Sequence, residues 1–398
     1  MRAESPNESS RLARLLGLSA LFLKLGAISF GGPAAHIALI ESEVVGKRQW
    51  VTRQQFLDML GAANLIPGPT STEMAINVGY ARAGWPGLCV AGASFILPAA
   101  LITGAFAWAY VRFGTLPRAG SVLAGIKAAV IAVIAIAIWK LGKSAIKGAG
   151  LAVLGGVALA AFFVGLSPIA ILLGGGVAGM ITRQAFSVRK SGALLCLPVF
   201  ASRGGLRWFG IGAATSLGAL SAAEAPSLSR IGLFFLKVGA VLYGGGYVLL
   251  AFLEQGLVHQ HAWLTQQQLL DAVAIGQFTP GPVLSTATFI GYILGGFPGA
   301  AVATVAIFLP SFFYVALLAP VLFSLRKSPW MAGFLDAVNV CAVALMAGVT
   351  FKLAVDALRG WPTWVIAAIA LAVLLRWKVN PAWVVLGAGA AAGFFAIR

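Results

Sequence analysis

The chain has 398 residues, of which 60% are apolar and 10% charged, with a formal net charge of +17. Soluble domains carry roughly 25% charged residues, so this composition excludes an ordinary water-soluble enzyme, and the wealth of apolar residues excludes a disordered chain. In so apolar a chain the positive charge reads first as basic cytoplasmic loops under the positive-inside rule, not as a nucleic-acid surface.

In chain order, the hydropathy pattern predicts a first helix over about 12–43, then an amphipathic polar connection. Two short apolar segments follow at about 54–66 and 70–82, split by Pro67-Gly68-Pro69. Longer helices occupy about 86–113 and 119–139, and a short helical hairpin at about 150–166 and 168–181 closes the stretch. The pattern restarts with a helix over about 228–255 and ends in segments at about 362–375 and 381–397. A retained first helix fits better than a cleaved signal, because Lys24 interrupts the apolar run behind Arg11 and Arg14. Cys89, Cys196 and Cys341 are widely separated, and His36, His259 and His261 fit no metal spacing, so no disulfide framework, metal or other cofactor is expected. No phosphate-binding glycine motif stands in a strand–helix context, and nucleic acid is not an expected partner.

The most informative pattern is internal. Shifted by 213 positions, residues 20–69 match 233–282 at 19 of 50 positions without a gap. FLKLGAISFGGP (22–33) meets FLKVGAVLYGGG (235–246), Glu41 meets Glu254, and Trp50, Thr52 and Asp58 meet Trp263, Thr265 and Asp271. Pro67-Gly68-Pro69 meets Pro280-Gly281-Pro282. Apolar bias aligns Leu and Ala; it does not align Lys, Trp, Asp and P-G-P together. The expected fold is therefore an all-α polytopic membrane protein of two homologous halves, with a first repeat over 1–182, a linker over 183–229 and a second repeat over 230–398.

Each segment beside P-G-P is too short to cross a bilayer alone, since about 13 residues of helix span roughly 20 Å. The pair is either one broken crossing helix or a re-entrant helical hairpin. With re-entrant hairpins and the N-terminus outside, 17 Lys/Arg fall inside and seven outside, against 15 and nine for parallel halves. Inverted repeats are the preferred arrangement on that count. A linker that itself crosses would also invert the halves, so ten, 12 or 13 crossings stay open.

Inverted repeats with helices interrupted at matching positions mark the substrate site of a secondary transporter. Broken helices expose backbone N–H groups and positive helix ends, which suit an anion. The expected substrate-binding set is Gly31, Gly32 and Pro33 with Gly244, Gly245 and Gly246, and Pro67, Gly68 and Pro69 with Pro280, Gly281 and Pro282. Asn64 and Gln277 precede the two breaks, and Thr70, Ser71 and Ser285 add hydroxyl donors after them. Lys24 and Lys237 hold equivalent places about two turns before the glycines, and Lys127 lies in an otherwise apolar helix opposite Asn339 in the repeat. A charge at mid-membrane costs at least about 2.5 kcal/mol, so it faces a partner or an aqueous cavity. Structural pairing of Lys24 and Lys237 with Glu41, Glu254 or Glu73 is the competing reading. Glu73 has Thr286 as its counterpart and is the candidate for carrying a proton or balancing charge; Asp58 and Asp271 read as helix-dipole partners.

FGGPAAHIALIESEVVGKRQWV (30–51), LIPGPTSTEMAINVGYARAGWPG (65–87) and FTPGPVLSTATFIGYILGG (278–296) resemble the chromate ion transporter family in its long-chain, two-domain form. Gly246 stands where the first half has Pro33, so the two breaks need not be equivalent. The resemblance implies a multi-pass protein of the bacterial inner membrane that exports chromate and confers chromate resistance, with sulfate as competitor or alternative substrate. It makes the chain a transporter, not an enzyme; its partners are the oxyanion and the lipid bilayer, and homodimerisation is an ordinary expectation for such carriers. A sulfate or other oxyanion permease is the nearest alternative function, and an intramembrane enzyme or lipid-handling protein the alternative from another class.

Overall fold

The computed structural model describes residues 6–30, 32–114, 117–190, 226–243, 248–318, 329–377 and 379–395. Among these every regular element is helical. The first half comprises α1 (Pro6–Ile28), α2 (Pro33–Glu41, continued as a π-helical turn over Ser42–Lys47), α3 (Arg53–Ala63), α4 (Thr70–Phe113), α5 (Pro117–Ala145), α6 (Ala149–Phe163) and α7 (Pro168–Lys190). The second comprises α8 (Leu228–Val241), α9 (Leu249–Leu253, continued as a π turn over Glu254–Gln260), α10 (Gln266–Phe278), α11 (Thr286–Leu318), α12 (Pro329–Ala357), α13 (Trp361–Arg376) and α14 (Pro381–Phe395). Among the described residues four stretches, Thr70–Phe113, Gly120–Ala145, Val283–Leu317 and Ala332–Ala357, are long and apolar enough to cross a membrane.

The repeat seen in the sequence extends to backbone detail. Thr52 and Thr265 each cap the helix that follows through a capping box with Gln55 and Gln268. Gln49 and Ala262, the two non-glycine residues with positive φ among those described, occupy equivalent positions. Both α4 and α11 break on the same backbone conformation, at Ala83–Gly84 and Gly295–Gly296, where Gly84 has φ 63° and Gly296 φ 61°. This left-handed conformation strains any residue with a Cβ. The break folds the short N-terminal arm of each helix back along the long one: Gly79 packs against Gly87, and Gly291 against Gly299.

The first helix of each half departs from the expectation of one continuous run. α1 ends at Ile28 and α2 begins at Pro33, and α8 and α9 are separated in the same way. Gly32 at φ 80° cannot continue a right-handed helix, and Pro33 takes the first-turn position, where its missing N–H costs nothing. The chain then turns back, so that Trp50 returns beside Gly17 and Trp263 lies 6.0 Å from Phe234.

The centre is formed by α4 against α11, with α1 packed on α4 and α8 on α11. Around it the halves are intertwined. The closing helices α13 and α14 of the second half embrace α5 of the first, while α6 and α7 of the first embrace α12 of the second. Small residues permit the close approach: Gly125 faces Ala388 and Ala392, and Gly179 faces Ala337.

Symmetry fails at one place that matters. α10 is buried continuously from Leu269 to Gly276, whereas in the equivalent stretch of α3 Leu57 is exposed and Asp58, Met59, Leu60 and Gly61 are half-buried.

Candidate functional site

Both P-G-P breaks lie at the interface of the halves, and each is closed by the other half. The N–H of Gly68 donates to the carbonyl of Leu242 (2.7 Å), and the N–H of Gly281 donates to the carbonyl of Ser29 (2.8 Å). These acceptors are repeat equivalents, each lying just before a glycine cluster. Ser29 O also receives His36 Nε2 (3.1 Å). Because a carbonyl only accepts, that ring nitrogen carries the proton.

The breaks differ in their surroundings. Beside Gly68, which has φ 146°, a Cβ would stand 2.6 Å from Ser311 Oγ and closer still to Glu73 Oε1. Glu73 is completely buried, and neither its carboxylate oxygens nor Ser311 Oγ has a hydrogen-bond partner among the described residues. Beside Gly281, at φ 89°, the same space is bounded by Ala99 Cβ and the carbonyl of Gly26. Where the first half has Glu73 the second has Thr286, whose hydroxyl donates to Val283 O (2.8 Å). One break is thus lined by an unsatisfied acid and the other by small, satisfied groups.

Lys127 of α5 reaches Asp271 of α10 at 2.8 Å; the side chains are 4% and 3% exposed. Tyr110 donates to the other oxygen of Asp271 (2.8 Å). Asp271 is therefore the buried partner of Lys127, whereas its counterpart Asp58 accepts from Gln54 on the open α3 (3.1 Å). A hydroxyl pair, Thr103 to Ser285 (3.2 Å), joins the halves between this ion pair and the second break.

The other expected residues lie as follows. Ser71, Gly68, Pro69, Pro280, Pro282 and Ser285 are buried, Thr70, Pro67 and Gln277 half-buried, and Asn64 is exposed. Lys24, 58% exposed, points to Glu43 (3.8 Å), which also holds Lys47 (2.9 Å) and Arg48 (3.5 Å). Lys47 beside it holds the Glu43 carboxyl below its ordinary pKa. Lys237 is exposed. Gly31, Gly244, Gly245 and Gly246 lie outside the described residues.

The description of one protein family, chromate transporter, fits this chain over residues 16–180 and again over 229–394. The chain belongs to the chromate transporter family. Among its relatives is a chromate transport protein of Cupriavidus metallidurans, 36% identical over 367 residues, 90% of this chain and 87% of that one. A probable chromate transport protein of Synechococcus elongatus is 34% identical over 373 residues (91% and 90%), and a chromate transport protein of Pseudomonas aeruginosa 31% identical over 382 (94% and 91%). No solved structure matches the chain. This chromate transporter homologue is a multi-pass membrane protein of a transporter family, not an enzyme.

Sequence reasoning did not single out several members of the site of this chromate transporter homologue. His36 is visible in the segment FGGPAAH, but its tie to Ser29 depends on the turn after α1. Tyr110 and Ser311 lie in plain apolar helices without a motif, and only their approach to Asp271 and Gly68 across the half interface marks them.

Proposed function

We propose that this protein exports chromate from the cytoplasm by alternating access at the interface of its two halves. The carrying observation is the reciprocal pair of bonds, Gly68 N–H to Leu242 O and Gly281 N–H to Ser29 O. Two breaks that are each completed by the equivalent carbonyl of the other half can exchange roles, as alternating access requires. The closed α10 and the open α3 are then the same element in its two positions.

The halves are read as inverted repeats with re-entrant hairpins at P-G-P. Several contacts favour this. The kink of α4 lies near Trp50 (Arg82 stacks 5.3 Å from its ring), and that of α11 near Leu228 and Ile231, so each hairpin leaves and returns on one side. The long arm of α4 then runs from its own kink past Gly281 to Asp271, towards the start of the second half's hairpin. Cysteine accessibility at Gln49 and Gln260 tests it: opposite faces are expected, and labelling from one face refutes inversion.

The substrate site comprises the flanks of the breaks: Gly32, Pro33, Asn64, Pro67, Pro69, Thr70 and Ser71 with Gln277, Pro280, Pro282 and Ser285. The amides of Gly68 and Gly281 close the halves and become donors only when those bonds open. Lys127 is the buried cation that a dianion meets by displacing Asp271, while Lys24 acts on the approach. Glu73 is the proton-carrying group, because it is completely buried at the first break and its carboxylate oxygens have no hydrogen-bond partner among the described residues.

A dianion leaving an inside-negative cell gains about 4.6 kcal/mol per 100 mV, twice the value for one charge. Inverted vesicles with a positive lumen are therefore expected to accumulate chromate, and excess sulfate, an isosteric dianion, to slow uptake. No potential-dependent accumulation would overturn the reading.

A further inference from the structure

A groove of about 490 Å³ lies apart from the breaks, between α8, the π turn after α9 and the α6–α7 connection. Its cationic members are Arg230 and Lys237, and its apolar wall includes Leu233 and Phe234. Arg230 and Lys237 are both exposed and have no carboxylate partner among the described residues. They stand two turns apart on one face of α8, about 10.5 Å along the axis. Leu233, between them, is 67% exposed, so this face turns to the surroundings of the bundle and not to its core. Glu254, the acid of the adjoining π turn, is committed to Lys352 (3.2 Å) and His259 (3.0 Å).

The first half shows what is missing. There Lys24, the equivalent of Lys237, lies 3.8 Å from Glu43, an acid that also gathers Lys47 and Arg48. Position 256, the counterpart of Glu43, is glycine, and Gln260 and His261 replace Lys47 and Arg48. Phe234 covers Gly256, and His261 stacks on Trp263 at 4.6 Å. The second half has therefore exchanged the acid and its two neighbouring cations for an aromatic and aliphatic wall while keeping the lysine. An occupant must bring its own negative charge and an apolar body.

We propose that this groove binds an anionic phospholipid, its phosphate held by Arg230 and Lys237 and its acyl chain lying along Leu233, Phe234 and Val238. Basic pockets at the edges of membrane helices have this chemistry. Transport plays no part in the proposal, which rests on the groove alone.

The test is native mass spectrometry of the full chain extracted from phosphatidylcholine vesicles containing phosphatidylglycerol, titrated with the latter. Retention of phosphatidylglycerol over phosphatidylcholine is expected, falling about five-fold for each cation removed and about 25-fold in Arg230→Gln/Lys237→Gln. Gln260→Glu keeps both cations and the fold but places a carboxylate in the groove, and is expected to weaken retention as well. Lys24→Gln, outside the groove, is expected to change nothing. Equal retention of the two lipids, or retention unchanged in both groove variants, overturns the proposal. Displacement of the lipid by millimolar sulfate alone also overturns it, assigning the groove to a free oxyanion.

Discussion

The Lys127–Asp271 pair gives the sharpest energetic prediction. Unit charges 2.8 Å apart attract by about 6 kcal/mol at an effective dielectric near 20. Desolvating two ions takes back most of that, so the pair as a whole contributes little net stability. Removing one member leaves the other buried without compensation. Asp271→Asn and Lys127→Met are each expected to cost about 3–5 kcal/mol, a hundred-fold or more in the folded-to-unfolded ratio. The double variant Lys127→Met/Asp271→Leu should recover to within about 1–2 kcal/mol of wild type, the remainder reflecting the lost acceptor of Tyr110. Equilibrium unfolding in mixed micelles by denaturing detergent, followed by fluorescence of the 11 tryptophans, reads all four proteins. Single variants within about 0.5 kcal/mol of wild type, or a double variant as unstable as the sum, would refute the reasoning. The exposed Lys24–Glu43 contact is the internal contrast, since Lys24→Gln should cost no more than about 1 kcal/mol.

Gly68→Ala and Gly281→Ala force a Cβ against the opposite half at positive φ, a backbone strain of about 1–3 kcal/mol before any clash. Chromate flux in vesicles should collapse in both while Gly46→Ala, with open space around it, stays near wild type. Glu73→Gln should keep flux driven by membrane potential but lose its response to an imposed pH gradient; an unchanged response removes Glu73 from the mechanism. Glu43, its pKa lowered by Lys47, contributes stability that is present above the ordinary carboxyl value of 4.5 and is lost as pH falls through the lowered one. Acid melting curves of Glu43→Gln should accordingly be flatter below that pH than those of wild type.

What could be read in the sequence was what the duplication preserved. P-G-P, the capping threonines, the tryptophans and the paired glycines report local backbone, and local backbone repeats whenever the residues do. The gap between the segments at about 70–82 and 86–113 was legible, but the backbone turn at Ala83–Gly84 and its counterpart at Gly295–Gly296 was not, because a single glycine in a membrane helix is common and only its φ reveals the turn. The first helix was read as unbroken for the same reason. Pairings between the halves were illegible altogether. Lys127 lies 144 residues before Asp271, and nothing near either one announces the other. Sequence logic had sought that aspartate's role in its own helix dipole. The lysines beside the glycines stood out as a repeated charge, and one was found pointing to Glu43, two positions from Glu41, one of the partners the competing reading offered.

The exchange of closing helices, with α13 and α14 on α5 and α6 and α7 on α12, bears on how such a chain can arise and be divided. Neither half encloses its own third long helix, and neither supplies the carbonyl that its own P-G-P amide requires. A half made alone would present a bare amide, a bare carbonyl and an unclad helix to lipid. It is therefore a subunit in search of a complement and not a small transporter. Two such subunits on separate chains would need to be made together. Joining them in one polypeptide fixes their ratio at one to one.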